Sequence, residues 1–562
     1  MSDDRDRPTG QPTDHRVQVL VVGAGPVGLT AAHELARRGV DVRLVDKAAG
    51  PAVTSRALAT HARTMEMYHQ MGVLDRILPV GQRVEHFTVH QRGRALVRFD
   101  TNYSSLPTRY PFSLMVDQII TERVLRECVL ERGVKIEWST ELVDFVQADD
   151  HVVASLRHAD GSVETVTASW LVGVDGARSV VRKRLGLRLL GDSAETWLNA
   201  DVLLDVDLPR DSNHLVHTGK GALLLVPFPD PGKWRIVDTV DVDRADEPEV
   251  VRQRLADKLS RALRRTVRVS TPTWTSAFAV QQRMIQRMRV GRCFVAGDAA
   301  HVHSPASGQG MNTGMQDAYN LAWKLADVVR GHATQDLLDS YDAERVPIGR
   351  TLLKSTGTAT ALVALRDSLA PVLMPVGLGV VNALGPLKRR IEGKIVRGFC
   401  ALALEYANSP LALDSGGRRT GVRPGQRVGW SLAESSSPVW RDLATELRDP
   451  RWTLLGVPGP SDPDGPVTFA LNQVDRQFGA AVSVRTVTSG TDPRAGHRVL
   501  GDPDGELRRR IGVRAGDFAL VRPDGYLAAK GPVARLAEAL TALHLNVRPV
   551  AVPDRAGTSE PS

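Results

Sequence analysis

The chain has 562 residues, more than one hydrophobic core usually supports, and its 42% hydrophobic and 24% charged residues are ordinary for a globular protein of two or three domains. The formal charge of +8 comes from arginines scattered along the chain without a Lys/Arg block, which argues against nucleic-acid binding. The three cysteines, Cys128, Cys293 and Cys400, form no CxxC pair and no metal-ligand spacing with histidine, so we expect no metal site, no disulfide scaffold and a cytoplasmic location.

The first predicted elements form a compact βαβ unit. Residues 1–15 are polar, lack the apolar run of a signal peptide and predict a disordered lead-in. Arg16–Val22 predicts a strand, Pro26–Arg38 a helix that Gly39 ends, and Val40–Val45 a second strand. In this order, the helix joins two parallel strands.

A glycine motif, Gly23-Ala24-Gly25-Pro26-Val27-Gly28, joins the first strand to the helix. Gly23 permits a tight turn, Gly25 lets the backbone approach a pyrophosphate, and Gly28 lets the helix and strand pack closely. The helix N-terminus offers N–H groups and a positive dipole end to phosphates. Asp46, eighteen residues after Gly28, places a carboxylate where it can accept hydrogen bonds from a ribose. The unit predicts dinucleotide binding, but it does not distinguish FAD from NAD.

The middle of the chain alternates between helical and strand patterns. Residues 62–71 and Thr121–Arg132 predict helices, and Val134–Trp138 predicts a strand. From 190 to 283 alternating apolar residues predict a separate sheet. Its clearest strands are Ala200–Val206, Ala222–Val226 and Trp234–Val240.

Two acidic loops follow apolar strands. In Trp170–Ser179 (WLVGVDGARS), Asp175 and Gly176 stand at the carboxyl end of a strand, where α/β sheets bind ligands, and Arg178 adds a cation suited to phosphate. Cys293–His301 (CFVAGDAAH) carries a similar Gly-Asp pair.

A glycine-rich stretch, PASGQGMN, follows at residues 305–312. Its glycines let backbone N–H groups approach a planar ring. A helix is predicted from about Met311 to Arg330, with its positive dipole end at this loop.

Together these segments resemble the class A FAD-dependent aromatic monooxygenases, the para-hydroxybenzoate hydroxylase and phenol hydroxylase group, strongly over residues 16–360 and loosely beyond. The resemblance implies bound FAD, with NADPH or NADH docking transiently as reductant, since no second GxGxxG unit is present. The residues expected to bind FAD are Gly23, Gly25, Pro26, Gly28, Asp46, Lys47, Arg56, Gln118, Asp175, Gly176, Arg178, Gly297, Asp298, Pro305, Gly308, Gly310, Met311 and Asn312.

The resemblance also assigns roles. Asp175 supports the pyrophosphate and nicotinamide, Asp298 binds the ribityl chain, and Arg56 and Gln118 contact FAD. The catalytic contribution is the backbone of Pro305, Gly308 and Gly310, which shapes the site of the flavin peroxide and keeps water out.

The implied reaction is hydroxylation. NAD(P)H reduces the flavin, which captures O2 as a C4a-hydroperoxide whose distal oxygen attacks an aromatic substrate. Few aromatic and many small aliphatic residues favour a polycyclic, polyketide-like substrate of antibiotic biosynthesis, and a small phenol is the alternative. Baeyer–Villiger oxidation, epoxidation and oxidative rearrangement use the same peroxide. A non-enzymatic flavin-fold binding protein is a remote alternative, because the flavin motifs are intact. No residue is identified as the base.

The predicted fold is α/β, with a Rossmann-like FAD-binding domain of the glutathione-reductase type and an inserted β-sheet substrate domain. The C-terminal region resembles the thioredoxin-like domain that follows such hydroxylases, through Phe518–Gly531, but it has no cysteine and hence no thiol chemistry.

The apolar segment Ser368–Pro386 is interrupted by proline and glycine, so we expect no stable membrane insertion. A homodimer is an expected assembly. The predicted division is 1–15 lead-in, 16–190 with 284–360 FAD-binding, parts of 82–120 facing substrate, 191–283 substrate sheet, 361–415 helical connector, 416–550 thioredoxin-like domain and 551–562 mobile tail.

Overall fold

The computed structural model describes residues 16–100, 106–303, 308–364, 384–386, 388, 392, 402, 404–459, 465–490 and 498–545. The predicted lead-in 1–15, the tail 551–562, Pro305 and most of Ser368–Pro386 lie outside these residues. Within the part of the chain that is described, no helix is long and apolar enough to cross a membrane.

The first sheet is built around the predicted βαβ unit. Five adjacent strands run parallel, and Val19, Leu20 and Val21 at its centre are fully buried. In spatial order the strands are Arg289–Val290, Cys293–Val295, Val163–Gly173, Arg16–Val22, Val42–Val45 and Ile136–Glu137. Val152–Arg157 also pairs antiparallel with Val163–Gly173, and Glu141–Gln147 pairs antiparallel with Val152–Arg157. The helices packed with it are Pro26–Arg37, Gln118–Glu131 and Gly310–Val329.

The second sheet is larger than the predicted one. It has nine strands, and it takes in chain from outside 191–283 at both ends. Its strands are His301–Val302, Trp274–Met284, Leu190–Asp205, Lys233–Asp238, Ala222–Pro227, Ser212–His217, His86–Gln91 and Arg94–Asp100, with Arg268–Val269 beside Leu190–Asp205. A helix that we did not predict, Pro248–Leu263, buries Val251, Leu255 and Leu259 against one face. Their spacing of four residues was visible in the sequence.

The C-terminal sheet has five strands. Three run parallel and two antiparallel, in the order Arg498–Gly501, Val482–Thr488, Trp452–Gly456, Asp517–Val521 and Leu527–Pro532. The helices of this region are Pro438–Glu446, Pro466–Phe478, Glu506–Ile511 and Leu536–Ala542.

Short elements join the sheets. A three-stranded sheet is formed by Ala59–Thr60, Ser113–Met115 and Gln82–Val84. The remaining helices are Ala62–Met71, Leu74–Ile77, Val180–Arg184 and Asp339–Ala364.

Several predicted ends were wrong for identifiable reasons. The helix predicted from Thr121 begins at Gln118, because the Asp117 carboxylate accepts a hydrogen bond from the Ile119 N–H at 3.1 Å and caps it. The sequence also predicts a helix at Pro532–Leu543, but this helix begins only at Leu536, because Pro532 ends a strand and a 3₁₀ turn follows. Of the predicted helical connector 361–415, residues 361–364 belong to the helix Asp339–Ala364, whereas residues 404–415 contain turns and no helix.

Candidate functional site

One cavity of about 480 Å³ lies between the glycine motif and the second sheet. Backbone and side chains from distant parts of the chain meet on its walls. The predicted residues that line it are Gly25, Pro26, Arg56, Gln118, Gly176, Asp298, Gly308, Gly310 and Met311. The predicted residues outside its lining are Gly23, Gly28, Asp46, Lys47, Asp175, Arg178, Gly297 and Asn312, and Pro305 is not among the described residues.

The glycine motif contains two structural glycines and one open position. A Cβ at Gly23, whose φ is +113°, would lie 2.5 Å from the Val174 carbonyl oxygen, and a Cβ at Gly28 would lie 1.8 Å from the Gly23 oxygen. A Cβ at Gly25 would meet nothing within 4 Å. Gly25 therefore keeps space open at the start of the helix, which is the room a pyrophosphate needs.

Asp46 is held towards this motif. Its carboxylate accepts hydrogen bonds from the N–H groups of Ala24 at 2.6 Å and Ala48 at 2.8 Å. The side chain is half-buried, so it retains accessible lone pairs for a ribose hydroxyl. Lys47 and Arg178, in contrast, are exposed.

Gln118 both lines the cavity and fixes the loop that carries Arg56. Its Oε1 accepts hydrogen bonds from the N–H groups of Arg56 at 3.2 Å and Ala57 at 2.9 Å. Its Nε2 donates to Glu122 at 2.7 Å, and burial raises the pKa of that carboxyl. The Gln118 amide therefore fixes the backbone that places the Arg56 guanidinium at the cavity.

Asp298 and Asn312 differ in how they contribute. The Asp298 side chain is exposed to the cavity, and desolvation in this recessed site raises the pKa of its carboxyl. The Asn312 amide donates to the carbonyl oxygens of Ala59 and Gly308, both at 2.8 Å, and accepts from the His61 N–H at 3.0 Å. Because these side-chain hydrogen bonds go to backbone groups, Asn312 clamps two loops, and its expected contact with FAD stays a prediction.

Asp175 caps a short helix. Its Oδ2 accepts hydrogen bonds from the N–H groups of Val180 at 2.6 Å and Val181 at 3.2 Å, and its Oδ1 is buried without a partner in the described chain. Buried carboxylate oxygens are normally hydrogen-bonded, so this oxygen remains available to a ligand.

The second sheet forms the opposite wall of the cavity. Leu224, Val226 and Val237 make it apolar, while the Oδ1 atoms of Asn199 and Asn213 are buried and unpaired among the described residues. The sequence did not single out these asparagines, although a polar residue between the buried Leu198 and Ala200 was a signal. The ring-bearing side chains Tyr110, His217, Phe228 and Trp234 lie outside the lining.

Taken together, the residues fit FAD. An open backbone cradle at Gly25, an anchored carboxylate at Asp46, and a cation at Arg56 suit a pyrophosphate and ribose. The predominantly apolar remainder suits aromatic rings.

Comparison with known proteins agrees with this geometry. A family model described as FAD binding domain matches residues 16–356. The chain is 60% identical over 532 residues to 6-methylpretetramide 4-monooxygenase of Streptomyces rimosus, covering 94% of each chain. It is 32% identical over 545 residues to pentachlorophenol 4-monooxygenase of Sphingobium chlorophenolicum, covering 94% of this chain and 95% of that protein. Its fold is similar to a solved ternary complex of aklavinone-11 hydroxylase with FAD and aklavinone, with a TM-score of 0.73 and 26% identity over 95% of this chain and 99% of that one.

Proposed function

The chain belongs to the family of FAD-binding aromatic monooxygenases, and from that premise we propose that it hydroxylates a polycyclic aromatic polyketide of the pretetramide type. Its cofactor is FAD, and its reductant is NADPH or NADH. The observation that carries the proposal is the single cavity that joins the glycine motif to the apolar wall of the second sheet. The name of the Streptomyces rimosus relative supplies the substrate type.

We assign the binding of FAD to three parts of the chain. The helix that begins at Pro26 directs the free N–H groups of its first turn, those of Val27 and Gly28, towards the pyrophosphate, and Asp46 accepts from the ribose. When bound, FAD takes a hydride from the nicotinamide and activates O2 for transfer to the substrate. Asp298 reaches the same cavity and is the residue we assign to the ribityl chain.

The helix Gly310–Val329 supports negative charge at the cavity. Among the residues that the structure describes, no side-chain hydrogen bond caps its N-terminus, and its first turn contains no acidic residue. Gly310 and Met311 bring this positive dipole end to the cavity wall. We therefore expect the helix to stabilise an anionic ring edge there, and the Gly308–Gly310 backbone to shape the space where oxygen is transferred.

The opposite wall suits a polycyclic substrate. Aliphatic side chains cover flat rings without competing hydrogen bonds, whereas Asn199 and Asn213 offer polar atoms to hydroxyl, keto or carboxamide groups. A small phenol remains the alternative substrate, and it would leave much of this wall without a partner.

The test is oxidation of 6-methylpretetramide by the purified holoenzyme with NADPH under isotopically labelled O2. We expect a product with one added, labelled oxygen on an intact ring system. A ring-expanded lactone or an epoxide would move the assignment to Baeyer–Villiger oxidation or epoxidation. Absence of NADPH-dependent oxidation of this compound would overturn the proposed substrate.

We also propose that the C-terminal sheet is a thioredoxin-like domain with a structural role. Two parallel strands, Trp452–Gly456 and Val482–Thr488, are joined by the helix Pro466–Phe478, and an antiparallel pair and a closing helix follow. This βαβ unit followed by a ββα unit supports the assignment. The homodimer, the cytoplasmic location and the domain boundaries stay predictions, and light scattering of the purified chain tests the first of them.

A further inference from the structure

His303 is a partly buried histidine that the proposed roles above do not use. It lines the cavity beside the start of the helix Gly310–Val329, where a Cβ on Gly310 would be 3.9 Å from its Cδ2. Both ring nitrogens are buried, and neither has a hydrogen-bond partner within the described chain. Buried polar atoms are nearly always paired, so an unpaired imidazole on a cavity wall indicates a group that pairs with a ligand.

The neighbours of His303 hold its ring in place. It stacks on His301, with ring centroids 4.6 Å apart and planes 24° from parallel. The Nε2 of His301 lies 2.6 Å from the Asp317 carboxylate, which also accepts from the Arg345 Nε at 2.7 Å. This chain of contacts orients His303 without occupying its nitrogens.

The same surroundings keep His303 neutral. Desolvation lowers its pKa well below 6.5, and the neighbouring His301 lowers it further while Asp317 opposes the change. Arg345 offsets the charge of Asp317, and the other charged side chains on the cavity wall are Arg56, Glu122, Arg235 and Asp298. A neutral imidazole can accept a proton at physiological pH.

We propose that His303 is the catalytic base that accepts the proton of a substrate hydroxyl as the new C–O bond forms. This inference rests on the proposed function and deepens it. As the aromatic ring loses electron density to the incoming oxygen, its hydroxyl becomes strongly acidic, so a weakly basic imidazole suffices. The O–H bond breaks towards the ring, the imidazole gains the proton, and the transferred oxygen leaves its O–O bond as it bonds to the ring carbon. When the ring regains aromaticity, that carbon loses its hydrogen as a proton, which leaves with the second oxygen atom of O2 as water, and the imidazole returns its own proton to the substrate oxygen. The overall consumption of NADPH, O2 and one proton is unchanged.

The kinetic test compares His303→Gln with His217→Gln. Glutamine keeps a hydrogen-bonding group but cannot take up the proton. His217 is a matched control, because it is also buried with an unpaired Nε2 but lies outside the cavity lining. With 6-methylpretetramide we expect His303→Gln to lower kcat about 100-fold, the lower limit for loss of a general base, with KM within about threefold. The NADPH it consumes should yield hydrogen peroxide in place of product, and His217→Gln should remain coupled.

A binding test removes the dependence on turnover. In histidine-labelled holoenzyme, the ring ¹⁵N signal that is missing from His303→Gln should shift when 2-naphthol is added. It should not shift with naphthalene, which has no hydroxyl. His303→Asn serves as the second variant if His303→Gln does not retain FAD.

The outcomes separate the two proposals. The wild-type enzyme could fail to oxidise 6-methylpretetramide while its His303 signal shifts with 2-naphthol and not with naphthalene. In that case the proposed substrate type is wrong and the His303 assignment stands. If the two arenes shift the signal equally or not at all, or if His303→Gln stays as coupled as His217→Gln, His303 is not the base.

Discussion

The Arg235 guanidinium donates two hydrogen bonds to the Asp201 carboxylate, at 2.7 and 2.8 Å. The same group donates to the carbonyl oxygens of Ser55 and Arg56, both at 2.9 Å. Asp201 and Arg235 stand opposite each other on neighbouring strands of the second sheet, and both are buried. This ion pair therefore fastens the substrate wall to the loop that presents Arg56 at the FAD side of the cavity.

Asp201→Asn tests that connection. The change leaves a buried guanidinium opposite a neutral amide, which should cost about 3–5 kcal/mol of unfolding free energy if the whole pair is lost. The looser Arg56 loop should also weaken FAD binding about tenfold. Denaturant unfolding and fluorescence titration of the apoprotein with FAD measure the two effects. Glu247→Gln removes an exposed ion pair with Arg244 and should change neither, and equal behaviour of the two variants would contradict the connection.

Two glycine substitutions should separate cofactor binding from folding. Gly25→Val places a side chain in open space, so the protein should fold with near-normal thermal stability but purify with little FAD. Gly28→Ala forces a methyl group against the Gly23 carbonyl oxygen and should lower the melting temperature itself. Circular dichroism melting and the flavin-to-protein absorbance ratio check both. Normal FAD content in Gly25→Val would show that the pyrophosphate does not lie there.

Asn199→Leu should change substrate binding and stability in opposite directions. Its Oδ1 is buried and unpaired among the described residues, so an apolar side chain of similar size should leave the unfolding free energy unchanged or raise it. The same change removes a polar contact to the substrate and should raise KM about tenfold, as expected for about 1.4 kcal/mol. Steady-state kinetics with 6-methylpretetramide and urea unfolding provide the measurements. A loss of stability with unchanged KM would mean that Asn199 supports the sheet only.

The sequence predicted the parts of the site that are encoded locally. Gly23, Gly25 and Gly28 act within one turn, so their spacing alone indicated the cradle. The clamps were not predictable in the same way, because Asn312 holds Ala59 from 253 residues away. Arg235 likewise reaches Ser55 across 180 residues, and only the folded chain brings them together.

The full size of the second sheet was not predicted, for a related reason. His86–Gln91 pairs in parallel with Ser212–His217, and no local pattern specifies that two strands so far apart in the chain are neighbours in the sheet. Asp175 shows a further limit, since its motif predicted a cofactor contact and gave no sign of its helix-capping hydrogen bonds.

Lys324 should give the stability of the protein a distinctive dependence on pH. It is fully buried, donates to Glu344 at 2.8 Å, and lies in the ion cluster through which Arg522 of the C-terminal region also binds Glu344. Burial lowers the pKa of Lys324 from 10.5 to about 8. Between these values the unfolded chain binds more protons than the folded one at this site, so the unfolding free energy should rise with pH.

Lys324→Met should flatten that rise. Glu344 keeps its pairing with Arg522, so the variant should fold at neutral pH, and its stability relative to wild type should fall as the pH increases from about 8 to 10. The full shift corresponds to at most about 3 kcal/mol. Lys135→Met, at an exposed lysine, is the control and should follow the wild-type slope. Urea unfolding across this pH range measures the difference, and parallel curves for Lys324→Met and wild type would show that the buried amine keeps its proton throughout.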